Sequence, residues 1–119
     1  MLLNAFRTMS GVLPLQETPL LDTVAQQRCE QQKAQGFISH AGLPPSLGEN
    51  LAAGYRNEKD VMAGWSLSQG HADNMKAPHY REVGLALCYG KPWGTYWTMV
   101  FGGGNRPLFR QGWFPEVAR

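Results

Sequence analysis

Three side chains of this sequence are of types that ligate metals or move protons, and each stands beside a turn: His40, Glu49 and His71. His40 opens the run His40-Ala-Gly-Leu-Pro-Pro-Ser-Leu-Gly48-Glu49-Asn50, and His71 closes Ser68-Gln69-Gly70-His71. Imidazole and carboxylate suit a borderline divalent ion, zinc above all. Three protein ligands plus a water make an open site rather than a closed structural one. A metal there would lower the pKa of its water and make hydroxide available near neutral pH. Without metal, a desolvated Glu49 is a candidate general acid or base beside a histidine. The competing reading is structural, with Glu49 capping backbone N–H groups and the two histidines holding loops. Spacing alone favours that second reading, because there is no His-Glu-x-x-His and no ligand pair on one helix face.

Other chemistries find less. His79, between Pro78 and Tyr80, reads as a surface or loop histidine. No Gly-x-Ser-x-Gly elbow supports a serine nucleophile. Gly102-Gly103-Gly104 lacks the Gly-Lys-Ser/Thr ending of a phosphate loop.

The elements that must position these residues change period along the chain. Residues 2–10 read as a short helix ended by Gly11 and Pro14, and 11–18 as turn. Thr18-Pro19 opens the strongest helix, with Thr18 as cap and proline in the first turn. Leu21, Ala25 and Cys29 recur on one face, with Leu20 and Val24 alongside, while Gln26, Gln27, Glu30 and Lys33 form the solvated face. Gly36 suits the position after the last turn. Residues 41–48 are loop, and Asn50 to Tyr55 a short strand. Asn57 caps a helix through about Leu67, with Asp60 a weak capping-box partner and Val61, Met62 and Trp65 inward. Ser68 caps a further helix over 69–77, which places His71 in its first turn. Glu82–Cys88 and Thr95–Phe101 read as two strands joined by the turn residues Tyr89–Gly94, an antiparallel hairpin. Neither strand alternates cleanly, so both faces of the sheet are covered by helices. The tail 106–119 carries Phe109, Trp113 and Phe114 and is expected to pack back on the body.

Bulk properties exclude several classes. A chain of 119 residues is one domain, long enough to bury a core unaided. With 43% hydrophobic and 17% charged residues it is globular rather than disordered. The net charge of +2 comes from scattered basic residues, which argues against a nucleic-acid partner or an anionic membrane surface. No apolar run approaches the roughly 18 residues of a membrane span. Met1-Leu-Leu-Asn-Ala-Phe-Arg7 is too polar for the core of a signal peptide, so an exported protein would be represented here in mature or trimmed form. The two cysteines, Cys29 and Cys88, form no Cys-x-x-Cys. They are either two buried thiols or one disulfide tying a helix to a strand. The disulfide would be worth on the order of 4 kcal/mol and would mark an oxidising compartment.

Five blocks carry a family resemblance: Phe37-Ile-Ser-His40; Gly48-Glu49-Asn50-Leu-Ala-Ala-Gly-Tyr55; Trp65-Ser-Leu-Ser68-Gln-Gly-His71-Ala-Asp-Asn-Met75; Pro78-His-Tyr-Arg-Glu-Val-Gly-Leu-Ala86; and Tyr96-Trp-Thr-Met-Val-Phe-Gly102. In this order they resemble the CAP superfamily (cysteine-rich secretory proteins, antigen 5, pathogenesis-related 1) in its short bacterial SCP-like form. The resemblance runs from about residue 4 to residue 102, inside a single domain spanning 1–119. It implies an α+β fold, a three-layer α-β-α sandwich on a central antiparallel sheet. It also implies a cleft of two histidines and two acids that can bind a divalent cation. His40 matches the first histidine, Glu49 the Gly-Glu-Asn glutamate and His71 the second histidine, with Asn50 and Ser68 as cleft residues. The second acid has no counterpart, and Ser66 and Ser68 stand in that segment instead. Gln69, Ala72 and Met99 replace a usual proline, arginine and polar strand residue, which leaves the cleft less polar. The short His40–Glu49 loop implies a shallow or open cleft.

Fold-level likeness does not settle activity. The resemblance implies an extracellular, periplasmic or envelope location and a monomer. Its first functional reading is a binding domain for a small ligand, lipid or protein, with a metal-capable cleft. A metal-dependent hydrolase of peptide or cell-wall material is the second reading. A lipid or sterol carrier, prompted by Met99 and the aromatic tail, is the third.

Overall fold

The computed structural model describes residues 2–103. The expected packing of Phe109, Trp113 and Phe114 therefore lies outside the described residues. Four helices, α1 (Leu2–Met9), α2 (Pro19–Gln35), α3 (Glu58–Ser66) and α4 (Gln69–Met75), surround four strands. The strands are β1 (Gln16–Glu17), β2 (Gly48–Ala53), β3 (Glu82–Gly90) and β4 (Gly94–Gly102). Sheet order is β1-β3-β4-β2.

Local chemistry sets the helix ends. The Thr18 side chain accepts the Leu21 N–H, Pro19 occupies the first turn, and Gly36 closes α2 at φ 80°, a left-handed conformation open to glycine. Asn57 Oδ1 accepts the Asp60 N–H at the start of α3. Ser68 stands at the cap position of α4 but makes no side-chain cap bond.

The sheet is mixed rather than wholly antiparallel. Strands β3–β4 and β2–β4 are antiparallel, but β1 runs parallel to β3, with Gln16 beside Glu82 and Glu17 beside Val83. This two-residue strand falls in a stretch that reads as turn, because a segment so short carries no periodicity. Strand β2 starts at Gly48, two residues earlier than expected. That shift puts Glu49 and Asn50 on the strand itself.

Helix α2 covers one face of the sheet, where Leu21, Val24 and Ala25 meet Val100 and Leu47. A Cβ at Gly84 would collide with the Leu21 carbonyl, so glycine is what lets helix and strand approach so closely. On the other face Leu3 of α1, Val61, Met62 and Trp65 of α3 and Met75 of α4 pack on Val83, Met99 and Phe101. Both faces are covered, as the unbroken apolar strands require. Cys29 of α2 and Cys88 of β3 form a disulfide that closes a separation of 59 residues beside the buried Tyr96. The disulfide reading of the two cysteines holds, and it staples α2 to the sheet.

Candidate functional site

The site is built around the edge strand β2, whose successive residues point to opposite faces of the sheet. Glu49 pairs in register with Val100, on the α2 face, and its carboxylate reaches Arg28 of α2. Asn50 pairs with Met99, on the other face, and its amide reaches α4.

On the first side Arg28 Nε donates to Glu49 Oε2 at 2.6 Å, and Nη2 donates to Oε1 at 2.8 Å. The rest of the guanidinium donates to the carbonyls of Ala41 (2.8 Å) and Ser39 (3.1 Å) and to Gln31 Oε1 (3.2 Å). Every N–H of the arginine is thereby used. Gln32, one turn on, clasps Ser39 from both sides, donating to its carbonyl at 3.0 Å and accepting its N–H at 2.6 Å. Residues 39–41 are thus tied to α2, and His40 between them is brought to Glu49, Nδ1 to Oε1 at 2.8 Å. A carboxylate only accepts, so His40 Nδ1 donates, and in the neutral ring the lone pair is then on Nε2. The carboxylate is fully buried, whereas the His40 side chain is 60% exposed.

On the second side Asn50, fully buried, donates to the His71 carbonyl at 3.1 Å. Asn74 donates to Asn50 Oδ1 at 3.0 Å and to the Glu49 carbonyl at 3.2 Å. The His71 ring lies 3.0 Å, Nδ1 to Oγ, from Ser68. The hydroxyl that could have capped α4 thus holds an imidazole instead. Trp65 stands 6.5 Å away, ring centroid to ring centroid. Partial burial lowers the pKa of His71, and the neighbouring charge of His40 lowers it further.

His40 and Glu49 come together as the sequence reading required. His71 lies near enough to feel the charge of His40, but it hangs from α4 across the strand. Among the described residues no group of three or more His, Cys, Asp or Glu side chains is placed to hold a metal ion. Glu49 does not fit as a third ligand, because Arg28 and His40 already take its two oxygens and a guanidinium repels a cation. Asn50 is buried and bonded to the His71 carbonyl, and Ser68 is the partner of the His71 ring. His79 is exposed and lies against Tyr80 in a tilted arrangement, 4.1 Å between ring centroids.

Two residues escaped the sequence reading. Arg28 and Gln32 fall on the apolar stripe of α2, at the spacing of Leu21, Val24 and Ala25, and both are buried. Polar residues on a helix's buried face are the signal that could have found them.

The sequence profile described as CAP, the cysteine-rich secretory protein family, matches residues 1–101. The chain belongs to the CAP family. It is 27% identical over 115 residues to the uncharacterized protein YkwD of Bacillus subtilis (strain 168), a match covering 84% of this chain and 44% of that protein. The chain therefore spans less than half the length of that relative. The CAP fold is shared with an outer surface protein of Borrelia burgdorferi, at a TM-score of 0.75, 18% identity and coverage of 84% of this chain and 85% of that one. It is also shared with an extracellular SCP-domain protein of Bacillus anthracis, at a TM-score of 0.70, 23% identity and coverage of 84% and 37%. In this CAP domain the Gly48-Glu49-Asn50 strand is the axle of the candidate site. No described helix is long and apolar enough to cross a membrane.

Proposed function

We propose that this chain is the CAP domain of a secreted or envelope-associated binding protein, whose cleft takes a ligand through the imidazoles of His40 and His71. The carrying observation is the buried Arg28–Glu49 pair, which engages an exposed His40 through Nδ1, so that Nε2 carries the lone pair of the neutral ring. A carboxylate in that position fixes the tautomer and raises the basicity of a ligating histidine. Glu49 is then a positioning group, and zinc or a similar divalent cation would take its protein donors from the two imidazoles. The lowered pKa of His71 keeps that ring in the neutral form such binding needs. The outer-surface and extracellular relatives support the location, as does the disulfide.

The hydrolase reading has less support, because a general acid or base needs a free oxygen and both of Glu49's are engaged. A lipid or sterol carrier has a candidate hollow beside Met99, but its volume of about 200 Å³ falls below the ~300–1,000 Å³ of sites that enclose such ligands.

Isothermal titration of metal-free protein with zinc tests the binding reading. Heat with the wild-type chain, lost in His40→Ala and in His71→Ala, is the expected result. No heat, or heat unchanged in both variants, rejects it.

A further inference from the structure

The two edges of the sheet are finished differently. Along β2 the outward carbonyls are taken by side chains, Leu51 by Trp65 Nε1 at 3.1 Å and Glu49 by Asn74 Nδ2 at 3.2 Å. Along β3 the short β1 covers only Glu82 and Val83, and Asp22 Oδ1 accepts the Leu85 N–H at 2.9 Å. The Thr18 N–H donates to the Val83 carbonyl from outside, so the odd-numbered residues of β3 turn their backbone groups away from β4. The N–H and C=O of Leu87 and Tyr89 therefore face outward, and no hydrogen bond to them is seen among the described residues. Val83 and Gly84, beside β1, are buried, whereas Leu85, Ala86 and Leu87 are half-buried and Tyr89 is exposed.

The surroundings of this open edge differ on its two sides. On the α3 side, Leu85 and Leu87 join Met62, Trp65, Trp97 and Met99 around the apolar hollow of about 200 Å³, with the exposed Glu58 on its rim. On the α2 side the edge is flanked by acids. Asp22 stands at Leu85, Glu30 lies 3.5 Å from Cys88 Sγ while also pairing with Lys33, and Glu17 is hydrogen-bonded to Asp22.

A strand laid here would present alternate side chains to an apolar hollow and to carboxylates, with its backbone meeting free donors and acceptors. We infer that the edge of β3 from the Leu85 carbonyl to Tyr89, beyond the Leu85 N–H that Asp22 occupies, receives an extended segment of a partner protein, as an added strand in which apolar residues alternate with lysine or arginine. Main-chain bonds would supply affinity, and the hollow and the acids would supply specificity. Unblocked edges otherwise invite indiscriminate pairing, which the side chains over β2 prevent on the opposite side.

The test uses the full chain and a capped octapeptide of alternating valine and lysine, with a valine–aspartate peptide as control. Amide exchange of Leu87 and Tyr89 should slow by about tenfold or more on adding the lysine peptide, as strand pairing requires. The aspartate peptide should bind more weakly. Leu87→Lys, which places a charge in the hollow, should abolish the slowing. Should that variant fail to fold, Glu30→Lys among the exposed acids of the α2 side should weaken lysine-peptide binding instead. No slowing at either amide, or equal binding of the two peptides, overturns the inference. So does exchange at Leu87 and Tyr89 that is already as slow as at Cys88 without peptide. If that slowness is independent of concentration, residues 104–119 cover the edge; if it appears only at high concentration, a second copy does.

Discussion

The two sides of β2 hold their histidines by different physics. On the α2 side a buried ion pair is the anchor, with Arg28 and Glu49 both shut from solvent and His40 hung on the outside. On the α4 side the anchor is made of neutral amides and a hydroxyl, those of Asn50, Asn74 and Ser68. The ionic side is rigid and intolerant of loss, because removing either charge strands the other in a place water cannot reach. The amide side loses one bond at a time. The candidate site therefore couples one imidazole to a buried ion pair and the other to a short helix.

Arg28→Met should break this contrast with the largest effect. It leaves the Glu49 carboxylate buried without its counter-charge, and the carbonyls of Ser39 and Ala41 lose a donor. A loss of about 3–5 kcal/mol in urea denaturation is expected. Adding Glu49→Met in the same chain should recover most of it, since a buried pair can be replaced by apolar groups at little cost. A single-variant loss below about 1 kcal/mol would show that the pair is solvated after all.

Asn50→Ala should cost less, about 1–3 kcal/mol, because the His71 carbonyl loses its donor and Asn74 keeps only its bond to the Glu49 carbonyl, but no charge is left unpaired. The same denaturation series measures it. If its loss equals that of Arg28→Met, the distinction between the two sides fails.

The legibility of the sequence divides along the same strand. Helix α2 is readable end to end, since Thr18, Pro19 and Gly36 mark its limits chemically and its apolar stripe marks its face. The β3–β4 hairpin is readable from its composition and turn residues. Strand β1 is not, because its pairing depends on where β3 lies in space. His40, Glu49 and His71 are found by type and motif, and His40 and Glu49 do meet. What stays hidden is their relation. Spacing along the chain cannot say that His71 hangs from a helix held to β2 through Asn50 and Asn74, or that a guanidinium eleven residues before Ser39 has already claimed the carboxylate. Arg28 is visible as a letter on an apolar stripe, and only its partner gives it meaning.

The pH response sharpens the comparison on the α4 side. The pKa of His71 is lowered from its ordinary value of 6.5, first by burial and then by the charge of His40. Below pH 6.5 the unfolded chain takes up the proton more readily than the folded one, so folding stability falls as pH drops from there toward the lowered folded pKa. Above pH 6.5 this group contributes no slope. His71→Gln should flatten that acid-side slope in stability measured between about pH 7 and 5. An unchanged slope in the variant would assign the effect to other groups.

Ser68→Ala should give the smallest change in stability, within about 0.5 kcal/mol, even though the residue sits where a helix cap belongs. Loss of a cap usually costs about 1 kcal/mol, but Ser68 makes no cap bond to lose. Its hydroxyl is spent on His71 Nδ1, so the variant should show itself in the imidazole instead. Nitrogen chemical shifts of His71 should report a changed mix of tautomers, while those of His40, fixed through the ion pair across the strand, stay as they were. A cost near about 1 kcal/mol with unmoved His71 shifts would mean that Ser68 serves the helix rather than the histidine. The α4 side would then have no dedicated group orienting its imidazole, and the asymmetry between the two histidines would be greater still.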